Sequence, residues 1–199
     1  MIEVFEKIIV NVLTSIYQPF GFAIIMAVCF MFVYMFAKEH GWKEAIKCWL
    51  NSFKINSEFR RVFLLTFYTV MILFRTLLNR NMWTNPVSNI KGIWGLYNAK
   101  GELTTEVVEN LILFVPFAIL LLWCFREKIL GQSVKFLQTL RHSMLVVFIF
   151  SLTIEFLQLF LRLGTFQLSD LFYNSLGGLL GGLIYWIGYK LLKEKNNPA

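Results

Sequence analysis

Long stretches of apolar residues recur along the chain at lengths that fit membrane-spanning helices. A helix needs about 20 mostly apolar residues to cross the roughly 30 Å of hydrocarbon in a bilayer. Arg75 interrupts the second stretch, and Glu109 and Asn110 lie near the start of the third. The pattern predicts an all-α, polytopic membrane helix bundle that forms one domain over residues 1–199. Its five predicted spans are residues 20–37, 62–78, 107–125, 143–161 and 171–192.

Two amphipathic stretches outside these spans are predicted to be interfacial helices. Apolar residues share one helical face in residues 4–17 and again in residues 42–53. Helices of this kind lie in the plane of the bilayer surface with their apolar face inward. Capping the end of the bundle is an equally good interpretation. No cleavable signal peptide is expected, because the first residues are acidic and the first apolar stretch starts late.

The composition excludes an ordinary soluble domain, and the distribution of the basic residues predicts how the protein is oriented in the membrane. Hydrophobic residues make up 57% of the chain, and the net charge is +7. Lys and Arg are retained on the cytoplasmic side of membrane proteins. The connections at residues 38–61 and 126–142 each carry a net charge of +3. This predicts a plasma-membrane protein with an external N-terminus and a cytoplasmic C-terminus, and leaves no need for a nucleic-acid partner.

Polar residues inside the apolar stretches gather toward their predicted outer ends. Glu155, Gln158 and Arg162 fall within about 60° on one helical face at 100° per residue, and Ser151 lies one turn earlier. A charge near the bilayer centre costs roughly 2.5–3.5 kcal/mol by insertion scales, so such residues usually face a protein interior or a wet cavity. We therefore predict an outward-facing polar pocket that binds a ligand. Its other predicted residues are Arg75, Glu109, Asn110, Asp170 and Asn174.

A purely structural role is the alternative for these charges. Long charged side chains near helix ends can reach water, and Arg–carboxylate pairs can join helices without a ligand. Asp170 follows Ser169 at a predicted helix start, where it is well placed as a cap. The convergence of four spans at one depth favours the pocket.

Four glycines in the last span predict close helix packing. Gly177, Gly178, Gly181 and Gly182 form two overlapping G-x-x-x-G patterns. In lipid, such patterns let another helix approach backbone to backbone. Pro116 in the third span removes a backbone donor and predicts a kink there.

Common catalytic and metal-binding patterns are missing from the sequence. His40 and His142 have no metal-ligating partners nearby in the sequence, and no phosphate-cradling loop or Ser/His/Asp set is evident. No metal site and no cofactor are predicted. Glu155 is the candidate catalytic residue, if there is one.

Several motifs in order over residues 60–190 resemble the VanZ-like family. The resemblance implies a membrane protein of a Gram-positive-type envelope, linked to resistance against lipoglycopeptide antibiotics of the teicoplanin kind. The family commonly has N-L-x-P after the second span, where this chain has Asn85-Pro86-Val87-Ser88, so no role is carried over to that segment. The motifs are N-x-x-x-F-x-P at 110–116, E-x-x-Q at 155–158, an R and D turn at Arg162 and Asp170, and N-x-x-G-x-x-x-G at 174–181.

Three functions remain open at this point. The pocket could bind the head of a lipoglycopeptide or of a lipid-linked wall precursor, with membrane lipids as its surroundings. It could instead be an intramembrane enzyme, with Glu155 as general base and Arg162 stabilising developing negative charge. An ion pathway is disfavoured, because residues 144–150 continue the fourth span inward without a charge. The oligomeric state is open.

Overall fold

The computed structural model describes residues 22, 25–78, 84–97 and 101–196. Within these ranges the regular secondary structure is helical, loops and turns connect the helices, and an isolated antiparallel bridge joins Tyr97 and Leu103. The predicted all-α class is confirmed. The predicted interfacial stretch at residues 4–17 lies outside the described residues. The helices are α1 (25–40), α2 (Trp42–Ile55), α3 (Ser57–Leu73), α4 (Glu106–Leu130), α5 (Phe136–Leu161) and α6 (Leu168–Asn196).

Three of these helices are long and apolar enough to span a membrane, which confirms the membrane class. They are Glu106–Leu130, Phe136–Leu161 and Leu168–Lys193, with mean hydropathies of 2.3, 2.3 and 1.2. They contain the third, fourth and fifth predicted spans. The first predicted span begins outside the described residues. The second corresponds to α3, which is 17 residues long before it continues as a π-helical turn over Phe74–Leu78. The total of five spans stays a prediction.

Helix α6 packs against both α4 and α5 through its glycines. Cβ atoms on Gly177 and Gly181 would lie 2.3 and 2.6 Å from carbonyl oxygens of α4. Cβ atoms on Gly178 and Gly182 would lie 2.7 and 2.8 Å from side-chain carbons of α5. Ser143 on α5 also donates a 2.6 Å hydrogen bond to the Gly178 carbonyl. The two overlapping glycine pairs thus serve two different neighbours.

The apolar core lies where α3, α4 and α5 meet. Its buried members include Ile72, Phe114, Phe117 and Val147. The Phe117 and Phe150 rings stack with their centroids 4.7 Å apart. This core fixes α3 beside α4 and α5, so the end of α3 is held close to the last turns of α5.

Helix α4 has an irregular point at Phe125, and the kink predicted at Pro116 stays a prediction. The helix runs continuously through Pro116, and its non-helical angles occur at Phe125, with φ −119° and ψ 28°. A proline removes one donor but need not break a helix whose neighbours hold it in place. The interruption at Phe125 instead redirects the last turn of α4.

Helix α2 matches the second predicted interfacial stretch in position. None of its residues is buried, and Trp42, Ile46 and Leu50 are 48%, 59% and 47% exposed. Exposed apolar residues on a short amphipathic helix are typical of a membrane surface position. That position stays a prediction. The Asn56 side chain accepts hydrogen bonds from the first amides of α3 and so caps it.

Candidate functional site

The turn between α5 and α6 brings polar residues of both helices together. Helix α5 ends at Leu161, and Arg162 adopts a left-handed conformation with φ 54° and ψ 33°. The Leu163 amide donates to the Gln158 carbonyl at 3.0 Å and closes the helix end. Since α6 begins six residues after Arg162, the last turns of α5 face the first turns of α6.

Eight polar residues of this region form one buried group, called here the polar cluster. Three of the predicted site residues, Glu155, Gln158 and Asn174, are only 2%, 2% and 6% exposed. Buried polar groups are usually hydrogen-bonded, so their partners define what the site can do. The members of the polar cluster are Ser151, Glu155, Gln158, Thr165, Gln167, Ser169, Asp170 and Asn174.

Glu155 and Gln158 connect α5 to its neighbours. The Glu155 carboxylate accepts a 2.8 Å hydrogen bond from the Gln167 backbone amide. The Gln158 side chain donates a 2.8 Å hydrogen bond to the Thr76 carbonyl in the π-helical turn. Carbonyls in the last turn of a helix lack an intrahelical partner, and Gln158 supplies one. Both side chains therefore hold the walls of the cluster in position.

Asp170 is bound by a neighbouring helix instead of acting only as a local cap. Helix α6 starts at Leu168, so Asp170 is its third residue. Its Oδ1 accepts a 2.8 Å hydrogen bond from the side-chain amide of Asn110 on α4. A carboxylate in the first turn of a helix is also stabilised by the helix dipole. The Asp170–Asn110 contact joins α6 to α4 at the level of the cluster.

Among the described residues, the hydrogen-bonding capacity of the Asn174 side chain is not fully used. Its Nδ2 donates a 2.8 Å hydrogen bond to the Ser151 hydroxyl. Its buried Oδ1 has no hydrogen-bond partner among the described residues. Exchanging the amide nitrogen and oxygen does not remove the deficit, because Ser151 would then bond the oxygen and leave the nitrogen without a described partner. One amide atom thus remains for a group that the described chain does not supply.

The two predicted arginines and Glu109 lie outside the polar cluster. Arg75 pairs with Glu109, and the side chains are 52% and 43% exposed. The Thr105 hydroxyl also donates to Glu109. Arg162 is exposed, because the left-handed turn takes it off the α5 face. The predicted residues therefore divide into a buried set around Glu155 and an exposed rim.

The segment over residues 84–97, called here the covering loop, packs on the turn between α5 and α6. The Phe166 and Leu168 amides donate to the carbonyls of Pro86 and Ile90 at 2.9 and 2.8 Å. The Tyr173 hydroxyl donates to the Trp94 carbonyl at 2.8 Å. In the described residues the covering loop therefore lies over the turn at the cluster, and the outward-facing pocket stays a prediction.

Sequence reasoning missed three buried polar residues, two in the turn and one at the start of α6. Thr165, Gln167 and Ser169 are 6%, 6% and 1% exposed. Gln167 donates to Thr165 at 2.9 Å through its side chain and to Glu155 through its backbone. The available signal was weak: two polar residues in a turn expected to be solvated.

The polar cluster combines carboxylates with side-chain amides and hydroxyls. It contains two carboxylates and the Asn174 oxygen, and the predicted arginines do not line it. Ionised carboxylates only accept hydrogen bonds, so Glu155 and Asp170 favour hydrogen-bond donors as their neighbours. Within the described ranges no group of three or more His, Cys, Asp and Glu side chains is placed to hold a metal ion.

Comparison with known proteins gives a family match over most of the chain. The family model described as VanZ/LLP1 matches residues 20–189. Protein VanZ of Enterococcus faecium is 32% identical over 90 residues, which cover 45% of this chain and 50% of that protein. The match thus spans about half the length of that curated relative. No solved structure matches the chain.

Proposed function

The chain belongs to the VanZ/LLP1 family, and from this we propose that it is a cell-envelope protein that lowers sensitivity to lipoglycopeptide antibiotics of the teicoplanin kind. It does so by binding the drug or a lipid-linked envelope component at the polar cluster. The link to teicoplanin comes from the family resemblance. The choice of site comes from the buried polar residues of α5 and α6.

The incompletely satisfied Asn174 is the observation that carries the binding proposal. Leaving a buried polar atom unpaired costs about 1–3 kcal/mol. Such a cost is unusual in a well-packed helix pair and is expected where a ligand completes the bonding. Sugars, peptides and aminosugars of lipoglycopeptides and wall precursors carry hydroxyl, amide and ammonium donors, and each of these groups suits the Asn174 oxygen.

The contacts of Glu155 favour binding over catalysis. A general base must reach the proton that it removes. One oxygen of Glu155 instead accepts the Gln167 backbone amide, which fixes the turn. The enzyme alternative predicts an altered envelope lipid or muropeptide, so mass spectrometry of both fractions with and without the protein separates the two proposals.

The proposed orientation places the polar cluster on the outer side of the membrane, where drug and wall precursors meet. Basic residues of α3, α4 and α6 surround a cleft at the other end of the bundle, among them Arg61, Arg126 and Lys193. By the positive-inside rule that end is cytoplasmic. The N-terminus would then be outside and the C-terminus inside.

Removal of either buried carboxylate is the direct test. Cells that express Glu155→Gln or Asp170→Asn at wild-type protein levels should lose most of their protection against teicoplanin, because each change removes a charged acceptor from the cluster. Arg162→Ala should retain most of it, since Arg162 is exposed. The measurement is the minimal inhibitory concentration of teicoplanin.

Thr153→Ala is the matched control for that test. Thr153 lies on the exposed face of α5, and in the described part of the chain its hydroxyl bonds only its own helix, at the Ile149 carbonyl. Cells that express Thr153→Ala should be protected against teicoplanin as well as cells that express the wild type. Full protection by both carboxylate variants would rule out the polar cluster as the site.

Asn174→Leu should separate stability from function. The change removes the unpaired amide atom and loses one hydrogen bond to Ser151. Removing the unpaired atom stabilises the protein by about 1–3 kcal/mol, and losing the hydrogen bond destabilises it by about 1 kcal/mol. The free energy of unfolding should therefore be unchanged or rise by up to about 2 kcal/mol. Protection should nevertheless be lost. Thermal unfolding in detergent measures the stability, and teicoplanin susceptibility of the cells measures the protection.

A stable Asn174→Leu protein that still protects would contradict the role given to Asn174. A marked loss of stability would show that the amide is fully satisfied in the folded protein, and would remove the reason for placing a ligand beside it.

A further inference from the structure

A cavity lies at the end of the bundle opposite the polar cluster. It measures about 1020 Å³ and is lined by residues of α3, α4 and α6. Four of its described lining side chains are basic and two are acidic, which gives a net charge of +2. We call it the basic cleft. The basic residues are Arg61, Arg126, Lys128 and Lys193.

The cleft exists because two features of the backbone keep it open. The interruption at Phe125 redirects the last turn of α4. On the facing helix, Gly188 has no side chain, and a Cβ there would meet no described atom within 4 Å. A helix end that turns away and a helix face without a side chain leave a gap between α4 and α6.

The two arginines are held by their surroundings in positions that line the cleft. Arg61 donates to the Trp123 carbonyl at 3.3 Å, and its guanidinium carbon lies 5.9 Å from the Trp123 ring centroid. Arg126 pairs with Glu127 at 2.9 Å and lies 5.8 Å from the Tyr189 ring centroid. A guanidinium has five N–H donors in a planar fork that suits phosphate oxygens. These contacts orient the arginines without using all of those donors among the described residues.

Apolar surface continues from the charged part of the cleft. Ile184 and Leu192 also line it, and they are 50% and 64% exposed. Both lie on α6, which is long and apolar enough to span the membrane. A ligand that fills this space needs an anionic head and an apolar tail beside it.

We propose that the basic cleft binds the headgroup of an anionic phospholipid from the adjacent leaflet. The phosphodiester lies between Arg61 and Arg126, and the acyl chains lie along Ile184 and Leu192. Basic pockets between transmembrane helices on the cytoplasmic side are suited to acidic lipids. The proposal uses no residue of the polar cluster and does not depend on the function proposed for that cluster.

Native mass spectrometry of the full chain tests this proposal. The purified protein is titrated in detergent with phosphatidylglycerol or with phosphatidylcholine of the same acyl chains. The wild type should retain phosphatidylglycerol at lower lipid concentration than phosphatidylcholine. Glycerol 3-phosphate should not compete, because it lacks the acyl chains that contact α6. Equal retention of the two lipids, or competition by the soluble phosphate, would overturn the proposal.

Charge and shape variants locate the site. A basic residue beside an acidic headgroup contributes about fivefold to the affinity for that lipid, so Arg61→Gln with Arg126→Gln should weaken phosphatidylglycerol binding about 25-fold. Gly188→Leu should also weaken it while keeping every charge, because the new side chain occupies the gap. Circular dichroism checks that the helices persist in both variants.

Lys43→Gln with Lys47→Gln is the control, since it removes two basic residues of α2 outside the basic cleft. It should bind phosphatidylglycerol nearly as the wild type does. If the control pair loses as much binding as the arginine pair, the attraction is a property of the whole basic surface and the site does not exist. If Gly188→Leu fails to fold, the arginine pair against this control decides alone.

Discussion

Gly177→Ala is expected to destabilise the helix bundle by about 3 kcal/mol, at the upper end of the range for overpacked cores. The added Cβ would lie 2.3 Å from the Leu111 carbonyl oxygen and 3.1 Å from the Phe114 Cβ. The nearest atom belongs to helix backbone, which cannot move aside as a side chain can. Helices α4 and α6 would have to separate along their contact, so less folded protein should be recovered and its midpoint of thermal unfolding should fall.

Gly188→Ala is the matched control on the same helix. Its Cβ would meet no described atom within 4 Å, and alanine favours a helix over glycine by about 1 kcal/mol. That variant should be as stable as the wild type or slightly more stable. If Gly177→Ala unfolds at the same temperature as Gly188→Ala, the close approach of α4 and α6 at Gly177 is wrong.

The glycines show what sequence spacing can and cannot establish. Their four-residue repeat indicates a helix surface without side chains, because the period depends only on helix geometry. Which neighbour meets which glycine depends on how the helices are arranged around α6. That arrangement follows from long-range packing, so the assignment of Gly177 to α4 and Gly178 to α5 required the structure.

The polar residues on one face of the fourth predicted span show a second limit of prediction from sequence. Glu155 and Gln158 are both buried in the same cluster with Ser151, as their common helical face suggests. The same argument placed Arg162 beside them, but the helix ends at Leu161 and Arg162 has a φ of 54°. Helical periodicity holds only while the helix continues, and the sequence gives the last residue of a helix to within a few positions.

The turn and the covering loop were beyond sequence reasoning for a different reason. Residues 84–97 and 162–167 have no hydrophobic period to interpret. Their contacts are backbone hydrogen bonds, such as that from the Leu168 amide to the Ile90 carbonyl at 2.8 Å. Any residue type can make such a bond. The sequence at Asn85 and Pro86 departs from the family pattern. It gave no indication that the Pro86 carbonyl accepts a hydrogen bond from the Phe166 amide.

Gly92→Ala is expected to release the covering loop from the polar cluster. Gly92 has a φ of +69°, which costs a residue with a side chain about 1–2 kcal/mol. Its Cβ would also lie 1.9 Å from the Ser169 hydroxyl oxygen and 2.7 Å from Oε1 of Gln167. Both neighbours belong to the buried cluster, so they have little room to move. The loop should detach and expose the amides that it covers.

Amide hydrogen exchange measures this release, and Gly101→Ala separates its two causes. Gly101 has a similar φ of +78°, but a Cβ there would meet no described atom within 4 Å. It therefore carries the backbone cost alone. Overpacking adds about 1–3 kcal/mol, so the Phe166 and Leu168 amides should exchange about 10- to 100-fold faster in Gly92→Ala than in Gly101→Ala. Equal exchange in the two variants would mean that the loop does not rest on Ser169, and that the polar cluster lacks the cover described above.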